Sequence, residues 1–130
     1  MRKMETLGLA MVAMLILVPA LFAADVRLEA ELVGPAIEGV KPEGEADFRA
    51  DGDRLRLSVE VEDVNFPDGT KLMVKIEGYD VGVIMLDGGV GELDLDSAAG
   101  DMVRVVSEGD TVKVFYGDMK ILTGVFMVED

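Results

Sequence analysis

Residues 54–77 read RLRLSVEVEDVNFPDGTKLMVKIE, and the fold class turns on them. Leu55, Leu57, Val59 and Val61 recur at period two, as do Leu72, Val74 and Ile76, so each run reads as a strand with one apolar face. Between them, Phe66-Pro67-Asp68-Gly69 has turn chemistry: proline presets φ at the second position and glycine accepts the left-handed conformation. A hairpin follows, and parity predicts its register. With Phe66 opposite Thr70, Val64 meets Leu72, but Glu60 then shares a face with Ile76. One extra residue at Glu62-Asp63, both opposing Met73, restores Val61 with Val74, Glu60 with Lys75 and Val59 with Ile76. A β-bulge is expected there.

Outward from this hairpin the chain keeps the same rhythm. Residues 26–32 alternate cleanly until Gly34-Pro35, 39–44 form a loop, and 46–50 make a short strand turned by Asp51-Gly52-Asp53. Residues 79–86 and 90–95 form a second hairpin about Asp87-Gly88-Gly89, with Leu86 opposite Val90, Val83 opposite Leu93 and Val81 opposite Leu95. Gly100-Asp101, Gly109-Asp110 and Gly117-Asp118 mark turns between strands at 102–106, 111–115 and 120–128. The last run is apolar on both parities, as in a strand covered on both faces. No helical period appears after residue 24. Eight or nine short strands predict an all-β domain: an antiparallel, immunoglobulin-like β-sandwich, or alternatively a partly open β-barrel.

Residues 1–24 are of another kind. Arg2 and Lys3 precede an unbroken apolar run over 7–24, containing Pro19 and followed at once by Asp25. That is the layout of a secretory signal peptide, so the chain is expected to be exported to the periplasm, the cell surface or the medium. Retention as a membrane anchor is the alternative, because 18 residues is the lower limit for spanning a bilayer. Residues 25–130 then form a single domain large enough for its own core.

Without the leader the chain has ten basic and twenty-five acidic residues. Such a field repels phosphate backbones and anionic lipid, which disfavours nucleic acid and membrane surfaces as partners and leaves cations and basic proteins. There is no Cys and no His, so disulfides, thiolate catalysis, zinc sites and the usual nucleophile–base pairs are excluded. Three serines remain, Ser58, Ser97 and Ser107, none at a spacing that suggests activation. Carboxylate pairs could serve a small glycosidase, but that chemistry wants aromatic platforms, and the chain has no Trp. A non-enzymatic module is the expectation.

Calcium is the metal that this composition would suit, because a hard cation takes carboxylate and carbonyl oxygens from loops. Candidate ligands are Asp51 and Asp53 around Gly52, Asp94 and Asp96 on one face of a strand end, and Asp87 beside Gly88-Gly89. Asp-Gly is also what any tight turn selects.

Ala30-Glu31-Leu32-Val33-Gly34-Pro35, then Pro42-Glu43-Gly44-Glu45-Ala46-Asp47-Phe48, then Leu55-Arg56-Leu57-Ser58-Val59-Glu60-Val61 resembles the opening of chordin-type domains of small exported bacterial proteins. Val64-Asn65-Phe66-Pro67-Asp68-Gly69-Thr70 stands where that family has a His-containing segment. The resemblance implies an extracellular immunoglobulin-like module without known catalysis and carries over no site residues. The expected role is binding or structural, through the 34–44 loop or through Met73, Ile84, Leu86 and Val90, which parity places on the outer face of the central strands, where the alternative is that a second sheet covers them.

Overall fold

The structure, a computed structural model, describes residues 25–129. The signal-peptide reading of 1–24 lies outside the described residues.

Nine strands follow in order: β1 (Val26–Val33), β2 (Glu43–Asp51), β3 (Arg54–Glu62), β4 (Lys71–Ile76), β5 (Tyr79–Met85), β6 (Gly91–Asp96), β7 (Thr111–Tyr116), β8 (Met119–Val125) and β9 (Met127–Val128), with one 3₁₀ turn at Ser97–Ala99. All pair antiparallel in one sheet of order β5-β4-β7-β8-β1-β2-β3-β6, β9 pairing with β1. The sheet curls until its two edge strands meet at the Asp87↔Val90 bridge, so it is nearly closed into a barrel. The all-β expectation holds in its barrel form.

Alternation decides the inside. Leu28, Ala30 and Leu32 of β1, Ala46 and Phe48 of β2, Leu57, Val59 and Val61 of β3, and Leu72, Val74 and Ile76 of β4 are all buried, with Phe48 and Phe126 the largest side chains of the core. Among the described residues no polar or charged one is buried in the core, and the outward parity is largely charged. That is the reverse of a membrane-spanning barrel.

The expected hairpin between β3 and β4 is not formed, and neither is its bulge. β3 lies between β2 and β6, and β4 lies between β5 and β7. β3 pairs with β2 over its full length, from Asp51↔Arg54 to Glu43↔Glu62. Asp63 then takes a left-handed φ of 57° and turns the chain off the sheet. The Pro67 turn forms, with Thr70 N–H donating to the Pro67 carbonyl at 3.2 Å, but it packs against the β5–β6 turn instead of closing a hairpin. Val64 N–H donates to Gly89 O at 3.0 Å and Gly69 N–H to Leu86 O at 2.8 Å.

Other expectations change for related reasons. Leu86 is held by Thr70 rather than paired with Val90, and β5 and β6 diverge from their turn without a ladder. Ile84 and Leu86 are buried and only Val90 is clearly outward, Met73 being half-buried. The 34–44 loop is short-circuited by a tight turn, Ile37↔Val40, with Glu38 and Gly39 both at positive φ. Residues 102–106 form no strand: Val103 and Val106 are buried while Met102 and Val105 are exposed, a spacing of three rather than two. Ile121 and Leu122 are both buried because the β7–β8 register shifts between Val114 and Phe115, not because both faces are covered.

Candidate functional site

The barrel turns one parity of β1, β2, β3 and β6 outward, and that parity is acidic. Register places Glu29 opposite Asp47, Asp47 opposite Ser58 and Ser58 opposite Asp94. The adjacent row runs Glu31, Glu45, Glu60, Glu92, a glutamate on each of four neighbouring strands. Like charges directly opposite one another destabilise a sheet, so these rows cost the fold something.

Their protonation shows the strain. Asp94, and after it Glu60, pushes Glu92 up to about 7. Burial, then the charges of Asp47 and Glu29, raise Glu45; burial also raises Asp47, against the pull of a hydrogen bond from Glu45. Carboxylate oxygens of Glu29, Glu45 and Asp47 lie within 4.8 Å of one another, and those of Glu43, Glu62 and Asp63 form a second such group. The first group lines a shallow concavity of about 580 Å³ whose wall includes Ser58, Asp94 and Glu129.

The other end of the concavity is basic, lined by Arg49, Arg54 and Arg56, and two of these arginines are held by aspartates. Arg54 Nε and Nη2 donate to Asp96 Oδ1 and Oδ2 at 3.1 and 2.6 Å, and Arg56 Nη2 donates to Asp51 Oδ2 at 2.7 Å. Asp96 Oδ1 also accepts from Ala98 N–H at 2.9 Å, capping the 3₁₀ turn. Arg54 first, then that N–H, holds the Asp96 carboxyl down at about 2.

The four candidate metal ligands are therefore not one set. Asp51 and Asp96 are each occupied by an arginine, and Asp53 is exposed in the Gly52 turn. Asp94 and Asp96 do share the outward face of β6, where Asp94 meets Ser58 and Asp96 meets Arg56. Asp87 sits in the bridge that joins the sheet edges. The convergent group is Glu29, Glu45 and Asp47, which sequence reasoning missed. Its signal was present, in acids at 29 and 31, at 43, 45 and 47, at 60 and 62, and at 92, 94 and 96, each on the parity opposite the apolar residues. Seeing it as one surface required knowing that β2, β3 and β6 are neighbours.

Among the described residues, none that lines the concavity is aromatic. Ser97 Oγ is engaged, accepting from Leu55 N–H at 2.8 Å. No protein-family model matches the chain, and no curated protein matches it.

Proposed function

We propose that the chain is an exported, non-catalytic module whose acidic outer face binds a basic segment of a protein partner in the cell envelope or the extracellular space. One observation carries this reading: the row Glu31–Glu45–Glu60–Glu92, four carboxyl groups side by side across β1, β2, β3 and β6. The arrangement weakens the isolated fold and is relieved by cations laid across it. An extended segment with Lys or Arg at alternate positions would present its charges along the strands at the spacing of the carboxylates. Export is supported by the apolar run over 7–24 and its flanking charges. The non-catalytic part is supported by the lack of His and Cys and by the absence of an aromatic platform in the concavity. The resemblance to chordin-type modules, borne by β1 to β3, points the same way.

Calorimetric titration with an extended lysine-rich peptide tests it. Binding should weaken steeply with salt and fall by about tenfold or more when Glu45, Glu60 and Glu92 are all replaced by glutamine. Equal affinity of wild type and variant would refute the assignment.

A calcium-dependent surface module is the second reading, favoured by the convergence of Glu29, Glu45 and Asp47. It requires calcium to raise the melting temperature above the value in sodium chloride at matched ionic strength, and Asp47→Asn to remove that difference.

A further inference from the structure

Charge is divided between the two halves of the barrel. β1, β2, β3 and β6 carry eleven carboxylates and four arginines. β4, β5, β7 and β8 carry four lysines and a single carboxylate, Asp80. The turns that end these strands are acidic, with Glu77, Asp87, Asp110 and Asp118, so the lysines form a cationic patch on the strand faces inside an acidic rim.

Register assembles these strands into one outward face. Val83, Met73 and Phe115 form a row across β5, β4 and β7, which Lys120 of β8 continues. Asp80, Lys75 and Lys113 form the next row. Lys75 and Lys113 stand directly opposite, a like-charge pair that an anion would relieve. Lys75 Nζ is 5.2 Å from the Phe115 ring centroid and 3.5 Å from Asp80 Oδ1. Val83 and Met85 are 45% and 57% exposed beside these ammonium groups.

We infer that this face docks on an anionic lipid bilayer, the lysines meeting headgroup phosphates while Val83 and Met85 enter the interface. Of the occupants with negative charge, only a bilayer also offers an apolar phase. A second copy would present its acidic face, whose outward cross-strand rows hold a single apolar residue, Val33 in the end row opposite Glu43, and a soluble polyanion has no apolar depth. The net charge of the whole molecule does not forbid contact. The acidic half lies across the core, and opposed sheets pack ~10 Å apart before outward side chains are added. That exceeds the Debye length of ~8 Å at physiological salt. The protein would then sit on a membrane with its acidic face turned to the solution.

The chain has no cysteine, so Val83→Cys and Glu45→Cys each create one site for a polarity-sensitive fluorophore. Protein starting at Asp25, which keeps every strand of the barrel and omits the apolar 7–24 run, with phosphatidylglycerol vesicles should shift the Val83→Cys emission to the blue and leave that of Glu45→Cys unchanged. Phosphatidylcholine vesicles should shift neither. Replacing Lys75 and Lys113 by glutamine should raise the lipid concentration for half-maximal shift ~25-fold, at ~5-fold per lysine. Should that pair melt early, Lys71→Gln with Lys120→Gln gives the same comparison. Three results overturn the inference: an equal shift at both labels or in both vesicle types; a shift that follows protein concentration without vesicles, which assigns the face to a second copy; and a shift with polyphosphate but not with vesicles, which assigns it to a polyanion.

Discussion

Glu92 faces Glu60 across the β3–β6 ladder and shares the outward side of β6 with Asp94 and Asp96; Glu45 stands one strand beyond Glu60. Its carboxyl is raised from 4.5 to about 7, so the folded chain holds a proton there that the unfolded chain has released. A raised folded-state pKa favours folding below the unfolded value, and the benefit is lost as pH climbs through the folded value. Stability should therefore fall between pH 4.5 and 7 on account of this group. Asp96 has the opposite sign: its pKa, lowered from 3.8 to about 2 chiefly by Arg54, adds stability above 3.8 that is lost as pH falls toward 2. Thermal melts of wild type and Glu92→Gln across this range separate the two. The variant should melt higher than wild type at pH 8, lose most of the decline between 4.5 and 7, and keep the acid limb set by Asp96. An unchanged decline would place its origin at Glu45 and Asp47, whose pKa values are also raised.

Single strands were legible because parity separates an apolar from a charged side, and β1, β3, β4 and β7 lie close to where period two puts them. Pairing was not. Parity states which face a residue takes but not which strand lies beside it, so Val59 satisfies the pattern equally against Ile76, as expected, or between Ala46 and Leu93, as found. The acidic face was hidden for the same reason, since each strand shows only two to four of its carboxylates. Glycine holds the remaining information. The halves of the sheet join where β8 and β9 run beside β1, and only one ladder pair, Val33↔Thr123, links β8 to β1 directly. A Cβ at Gly34 would overlap the Ile121 carbonyl oxygen, and one at Gly124 would overlap the Glu31 carbonyl oxygen. Backbone approaches backbone there, with no side chain free to yield. Gly124→Ala should cost about 1–3 kcal/mol by forcing the strands apart. In a domain of this size that is a fall in melting temperature of roughly 4–8 °C per kcal/mol. A melt within a degree of wild type would show that the seam can relax.

At the scale of the whole molecule the separation of charge has a thermodynamic consequence that distinguishes screening from binding. Sequence totals gave the sign of the net charge but not its placement, because arginine and lysine had not been seen to fall on different halves. With Arg54 and Arg56 tied to Asp96 and Asp51, the outward carboxylates of β1, β2, β3 and β6 repel one another across short, solvent-exposed distances. Repulsion of this kind is screened over about a Debye length, so added sodium chloride should raise the melting temperature at pH 8 and then level off. Glutamine at 45, 60 and 92 should start higher and gain less from salt, because the repulsion that salt relieves is already gone. Glutamine at 75 and 113 should leave the salt response close to that of wild type, since it removes one opposed pair among many charges. Calcium at matched ionic strength completes the comparison. If it coincides with sodium, the acidic face holds no calcium and acts through its field alone. A further rise that Asp47→Asn abolishes would mean that Glu29, Glu45 and Asp47 close on an ion, and the face would then be a calcium-gated surface.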